Sequence, residues 1–243
     1  MLSIADMIIP EATMDAFRAM ERLRGGLVVS CQAPEGNPMR GPSFMAAMAR
    51  AAVLGGACGI RAEGVEDIRA IRAAVGSEVP IIGILKTTMP DGSLFITGSI
   101  DHAHAVRDAG AELVALDGTR RPRPGGDTLS EVIAAIQASG GLALADIDTA
   151  DSAQYAIECG ADAVGTTMSG YTPQSVKIEG PDFALLDTLT RSLDKPVFAE
   201  GRLWTREDAA RAIDLGASFV VVGTAITNPM AITARFVAAM HRP

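Results

Sequence analysis

Pro80-Ile81-Ile82-Gly83-Ile84-Leu85-Lys86 sets four apolar side chains around one glycine and then stops on a lysine. A short uninterrupted apolar run bounded by proline and turn residues is the pattern of a strand buried on both faces, as in a parallel sheet covered by helices. Lysine is seldom found in such surroundings. Two readings are open for Lys86. It ends the strand and carries its ammonium to water, or it is held in a pocket at the strand's carboxyl end, where burial lowers its pKa and turns it into a base.

The same unit recurs on both sides of this run. Apolar strands are predicted over residues 27–32, 57–61, 81–86, 113–117, 142–146, 163–167, 196–200 and 219–223. Helices are predicted between them. Residues 12–24 carry Met14, Phe17, Met20 and Leu23 on one face, and Ser43 opens a helix that stops at Gly55-Gly56. Further helices are predicted over 65–75, 128–138, 150–159, 181–193 and 229–240, with Ser99 or Asp101 capping one more and Thr205 another. Ala109-Gly110-Ala111-Glu112, Cys159-Gly160-Ala161-Asp162 and Leu215-Gly216-Ala217-Ser218 repeat before the fourth, sixth and eighth strands. A C-capping glycine, a small residue and a polar residue make a short turn from helix into strand. Eight strands alternating with helices at roughly 25–30 residues predict a single (β/α)₈ TIM barrel spanning residues 1–243, closed by right-handed crossovers and without a free edge. An open doubly-wound sheet is the other topology, but no Gly-x-Gly-x-x-Gly opens a helix after the first strand. The stretch 89–99 reads as a Gly/Ser/Thr-rich loop. Met230, Ile232, Phe236 and Met240 on the last helix are either barrel packing or a dimer face.

Composition agrees with this class. The chain is 48% hydrophobic and only 4% aromatic, so aliphatic side chains must fill the core. A net charge of −8 argues against nucleic acid and anionic membrane as partners, while leaving room for a local basic pocket that takes a small anion. Three cysteines (Cys31, Cys58 and Cys159) have no framework spacing and read as free thiols of a reducing compartment. The first ten residues lack a basic region and a long apolar stretch, and no segment approaches the roughly 18 apolar residues of a membrane span. A soluble, cytoplasmic protein is expected.

In this fold, chemistry gathers at the carboxyl ends of the strands. Those ends are Gln32, Arg61, Lys86, Asp117, Asp146, Thr167, Glu200 and Gly223. Three carboxylates converging on Lys86 and Arg61 would make a site of paired charges with shifted pKa values. His102, His104 and His241 fall on a helix or the tail, and the first two do not share a helix face, so no metal site is expected. Gly201-Arg202 and Gly223-Thr224-Ala225-Ile226-Thr227 follow the last two strands, where backbone N–H groups often hold a phosphate.

Taken together in order, several phrases resemble the N-acylglucosamine-6-phosphate 2-epimerase family. They are Ser30-Cys31-Gln32, Gly59-Ile60-Arg61-Ala62, Gly83-Ile84-Leu85-Lys86, Leu116-Asp117-Gly118-Thr119 with Arg121-Pro122-Arg123-Pro124, Ala145-Asp146-Ile147, Gly165-Thr166-Thr167-Met168-Ser169-Gly170-Tyr171-Thr172, Ala199-Glu200-Gly201-Arg202 and Gly223-Thr224-Ala225-Ile226-Thr227. The resemblance implies epimerisation at C2 between N-acetylmannosamine 6-phosphate and N-acetylglucosamine 6-phosphate, in amino-sugar and sialic acid catabolism. It implies catalysis by Lys86 and Glu200, sugar binding by Gln32, Arg61 and Asp146, and phosphate binding by Gly201, Arg202, Gly223 and Thr224. It further implies no metal, no cofactor and a homodimer. The chain departs from the family pattern at two places: Thr87 follows the lysine where the resemblance leads one to expect arginine, and Asn228 stands where an arginine often follows Ile-Thr. Two rival readings remain: a Schiff-base lyase using Lys86, which borohydride trapping with a carbonyl substrate would reveal, and a non-catalytic sugar-phosphate-binding barrel.

Overall fold

The computed structural model describes residues 11–240; His241 and the segment 1–10 lie outside the described residues. The chain begins with α1 (Glu11–Leu23), β1 (Leu27–Cys31), α2 (Pro42–Leu54), β2 (Gly59–Glu63), α3 (Val65–Val75) and β3 (Ile81–Ile84). A short pair, β4 (Lys86–Thr88) and β5 (Leu94–Ile96), precedes α4 (Ile100–Asp108). Then come β6 (Leu113–Asp117), α5 (Leu129–Ala138), β7 (Leu142–Asp146), α6 (Ala150–Glu158) and β8 (Ala163–Gly165). The chain ends with α7 (Phe183–Ser192), β9 (Val197–Glu200), α8 (Arg206–Asp214), β10 (Val220–Val222), α9 (Thr224–Thr227) and α10 (Pro229–Met240). Eight strands close into a parallel barrel in the order β1-β10-β9-β8-β7-β6-β3-β2, the TIM-barrel fold expected from the sequence.

The two-residue period of a strand decides what faces inward. Val28, Ile82, Leu113, Ala115, Leu142, Leu144, Ala163, Phe198, Phe219 and Val221 fill the barrel interior, and Ala16, Ala19 and Leu23 of α1 join them at its amino-terminal end. The alternate set, including Val29, Ile60, Ile81, Val114, Ala143, Val164, Val197 and Val220, packs outward against the helices. Gly83 is on that outer face. A Cβ there would stand 2.4 Å from Val106 and 2.7 Å from Ala111, so glycine is what lets α4 lie close against β3. Continuing the inward parity past each apolar run reaches Gln32, Arg61, Lys86, Asp117, Asp146, Thr167, Glu200 and Gly223 in turn, which is why one end of the barrel is polar.

Helix starts follow the expected chemistry. Ser99, rather than Asp101, caps α4 by accepting the His102 N–H at 3.2 Å. Thr128 and Thr205 form capping boxes with Glu131 and Asp208.

Four expectations need correction. The third strand does not run to Lys86: it ends at Ile84, because Leu85 leaves the barrel ladder and pairs with Thr97 through two hydrogen bonds. Residues 89–99 are accordingly not a free loop; they include the turn and second strand of an antiparallel hairpin in which Lys86 faces Ile96 and Thr87 faces Phe95. The second strand extends past Arg61 to Glu63, while the sixth and eighth stop short, with Thr167 in a 3₁₀ turn and Gly223 at the start of α9. Lastly, α10 does not pack into the barrel: none of its residues is buried, and Met230, Phe236 and Met240 are exposed. It is tethered by Arg235, whose guanidinium lies 4.0 Å from the Trp204 ring centre.

Candidate active site

At the carboxyl end of the barrel the strands surround a cavity of about 740 Å³. Gln32, Glu63, Lys86, Thr167 and Glu200 line it, together with Gly201, Arg202, Gly223 and Thr224 from the last two loops. Behind Glu200 and Thr167, Arg61 and Asp146 form a buried floor that does not itself line the cavity. Arg61 is 1% exposed and Asp146 fully buried, and they meet in a two-pronged ion pair, Nη1 to Oδ1 at 3.1 Å and Nη2 to Oδ2 at 2.7 Å. Nη1 of Arg61 also donates to Oε2 of Glu200 at 2.6 Å. Thr167 closes the group by donating to Oδ1 of Asp146 at 2.5 Å, with Oε2 of Glu200 at 3.4 Å. Burial disfavours the Arg61 charge, but Asp146 and Glu200 outweigh it and hold its pKa above the ordinary arginine value. A buried charge of this kind is tolerated only when paired and hydrogen-bonded.

Glu200 and Lys86 are shifted towards one another. Burial pushes the Glu200 carboxyl up to about 7; Arg61, Lys86 and Thr167 restrain the rise, while the nearby Asp146 charge adds to it. Desolvation draws Lys86 below the usual lysine value; Glu63 opposes this, Arg61 assists it, and Glu200 and Asp146 oppose it. The Lys86 side chain borders the open cavity and so remains accessible; the desolvation comes from the walls around its ammonium. That ammonium donates to Oε1 of Gln32 at 2.5 Å, and the Gln32 amide in turn donates to Oγ of Ser30 at 2.7 Å, fixing which way the amide faces.

Every residue singled out from the sequence is at this end of the barrel, but they do not form one layer. Gln32, Lys86, Glu200, Gly201, Arg202, Gly223 and Thr224 border the cavity, and Arg61 and Asp146 reach it through Glu200 and Thr167. Asp117 is turned away into a separate cluster with Thr119 and Arg121. Arg202 is partly committed to backbone: Nε donates to Gly180 O at 2.8 Å and Nη1 to Ser169 O at 2.6 Å, and its guanidinium lies over the Tyr171 ring. Sequence reasoning missed Glu63, Arg40 and Asn37. For Glu63 the signal was present, since Arg61-Ala62-Glu63 continues the alternation of β2. Asn37 and Arg40 belong to the loop 32–41, which carries no periodicity. Asn37 is buried there and donates to Oδ1 of Asn228 at 3.5 Å. Among the described residues no group of three or more His, Cys, Asp or Glu is placed to hold a metal ion, and no helix is long and apolar enough to cross a membrane.

A lysine and a carboxyl brought towards neutral pKa values over a fixed Arg–Asp floor define a TIM-barrel enzyme site suited to proton transfer. Comparison with known proteins narrows the class. A family model described as "Putative N-acetylmannosamine-6-phosphate epimerase" (NanE) matches residues 45–242. A relative from Clostridioides difficile, named "Putative N-acetylmannosamine-6-phosphate 2-epimerase", is 44% identical over 222 residues, covering 91% of this chain and 99% of its own. One of the same name from Cutibacterium acnes is 46% identical over 222 residues, covering 90% and 95%. The solved N-acetylmannosamine-6-phosphate 2-epimerase from Clostridium perfringens superposes with a TM-score of 0.87 at 41% identity, covering 90% of this chain and 95% of that one. The chain belongs to the N-acetylmannosamine-6-phosphate epimerase family.

Proposed function

We propose that this chain interconverts N-acetylmannosamine 6-phosphate and N-acetylglucosamine 6-phosphate by removing and returning the proton at C2 of the open-chain sugar. The observation that carries the reading is the pairing of Lys86 with Glu200 on one cavity, the lysine shifted down and the carboxyl shifted up. The C2 proton is acidic only while C1 is a carbonyl, so the site must handle one proton at carbon and others at oxygen. Lys86 takes the C2 proton as a neutral amine. Glu200 supplies or accepts the balancing proton, at the ring oxygen and C1 or on the opposite face of C2. Gln32 orients the sugar from the wall. Arg61 and Asp146 hold it from the floor, through the carboxyl and hydroxyl they position, and Arg61 offsets negative charge developing on oxygen.

Such a pair works with one shared proton: one group takes a proton and the other gives one. The productive form, neutral Lys86 with protonated Glu200, is a fixed share of the singly protonated pair, which is most populated between the Glu200 value near 7 and the lowered Lys86 value. Exchange of C2–H in deuterated water, followed by NMR with N-acetylmannosamine 6-phosphate, is therefore expected to trace a bell. It falls below about pH 7, where both groups hold protons, and falls again above the Lys86 pKa, where neither does. Absence of exchange with this sugar across the whole range removes the reading.

The phosphate is held at the loops after β9 and β10, by Gly201, Arg202, Gly223 and Thr224. Arg40 supports this reading from the facing loop. It lines the same cavity, and its guanidinium has no hydrogen bond or ion pair with the described residues, whereas two donors of Arg202 are occupied by carbonyls. A charge-assisted contact contributes about 1.5–3 kcal/mol, so Arg40→Ala is expected to raise KM for the phosphorylated sugar about ten- to hundredfold with kcat little changed. An unchanged KM removes Arg40 from the phosphate contacts.

A further inference from the structure

The segment Asp117-Gly118-Thr119-Arg120-Arg121-Pro122-Arg123-Pro124 supplies nothing that lines the cavity, yet it spends a buried carboxylate and two of its three arginines, Arg121 and Arg123. Those arginines converge on the hairpin that carries Lys86. The hairpin pairs only three residues per strand, and an isolated two-stranded ribbon of that size is marginal in water. Its position must come from what grips it.

The grip has three parts. At the base, Thr97 bridges hairpin and barrel: its N–H donates to Leu85 O at 2.7 Å, its hydroxyl donates to Ala115 O of β6 at 2.7 Å, and the same hydroxyl accepts the Leu85 N–H at 3.2 Å. Thr97 is fully buried with φ of 42°, a left-handed conformation that a β-branched residue keeps only when its surroundings fix it. On the flank, Phe95 is 1% exposed, with the Arg121 and Arg123 guanidinium carbons 4.9 and 5.2 Å from its ring centre. Finally, both arginines bond hairpin backbone: Arg121 donates to Leu94 O at 3.0 Å and Arg123 to Thr97 O at 3.1 Å. Arg121 is ion-paired to Asp117, and Arg123 donates to Asp117 O at 2.7 Å, so the carboxyl end of β6 is the anchor for both.

We propose that Arg121, Arg123 and Phe95 are positioning residues for Lys86: the two guanidinium groups hold the Phe95 ring and the hairpin carbonyls, and thereby fix the hairpin that carries the base over the cavity. The inference rests on the reading of Lys86 as the base at C2. Misplacing a reacting group by about 1 Å can cost roughly 10²-fold in rate. A loosened hairpin also returns the Lys86 ammonium to water and relieves the desolvation that lowers its pKa, against the fixed charges of Glu63, Arg61, Glu200 and Asp146.

Phe95→Leu keeps an apolar side chain and removes the ring; Phe95→Tyr keeps the ring. Phe95→Leu and Arg123→Ala are expected to lower kcat for C2 exchange about 10- to 100-fold with KM within about threefold, and to move the alkaline limb of the pH profile to higher pH. Phe95→Tyr is expected to retain most of the wild-type kcat. Should Arg123→Ala fail to fold, the two Phe95 variants decide the matter. Wild-type kcat and an unmoved alkaline limb in a folded Phe95→Leu protein overturn the proposal, as does an equal loss in Phe95→Leu and Phe95→Tyr. Wild-type protein that exchanges no C2 proton sinks the underlying reading instead, and the two failures are distinct.

Discussion

Lys86→Ala is expected to abolish C2 exchange, with a loss of at least about 10²–10⁴-fold in kcat, while the protein stays folded. The asymmetry follows from where the side chain is. Lys86 borders the open cavity, and its one side-chain hydrogen bond goes to Gln32, so truncation leaves no buried partner stranded. Glu200 loses one of the cations that restrain its pKa, so the carboxyl rises further above its present value of about 7. Lys86→Ala therefore removes the proposed base and also shifts the protonation of what remains. Binding of the phosphorylated sugar, measured by calorimetry on the variant, is expected to survive, because the proposed phosphate contacts lie on other loops. Wild-type exchange in Lys86→Ala would show that the proton is taken elsewhere. Loss of binding together with exchange would mean that the lysine holds the substrate instead of the proton.

The strand pattern makes the polar mouth legible in the sequence alone, because parity carries an inward-facing apolar run onto an inward-facing polar residue. Asp146 and Glu200 were readable for that reason. The hairpin was not read, although Asp91-Gly92 between Thr-rich and Phe/Ile-containing stretches is a turn signal, and Asp91 does accept from the Ser93 N–H and hydroxyl. The apolar run through Leu85 overrode it, since a sequence does not say where a strand leaves its sheet. Arg40 could not be found from pattern, because its place on the cavity is set by the loop 32–41, which carries no periodicity and bonds to Asn228 through Asn37. The exposure of α10 was likewise invisible: its apolar residues name a face, and nothing local says what covers it.

Arg61→Met tests whether the floor is held by charge or by shape. The methionine keeps most of the apolar stem and removes the guanidinium. Asp146 is then a fully buried carboxylate left with Thr167 as its side-chain partner, and Glu200 loses its ion pair. Removing one member of a buried pair typically costs about 3–5 kcal/mol, whereas replacing the whole set with apolar groups can be nearly neutral. For a chain of this size about 1 kcal/mol moves the melting temperature by roughly 2–4 °C, so a fall of about 6–20 °C is expected. The pH dependence has a definite sign. Glu200 is already raised from 4.5 to about 7 in the folded protein, and loss of Arg61 raises it further. The native state therefore holds more protons than the unfolded chain from about pH 4.5 upward, and stability falls as pH rises through that window to the folded pKa. Arg61→Met is accordingly expected to be least destabilised near pH 5 and most at pH 8. Adding Asp146→Asn should recover part of the loss at pH 8, because the stranded charge is gone. A melting temperature within about 2 °C of wild type at pH 8, or a double variant less stable than Arg61→Met alone, would show that the floor is held by packing and not by the paired charges.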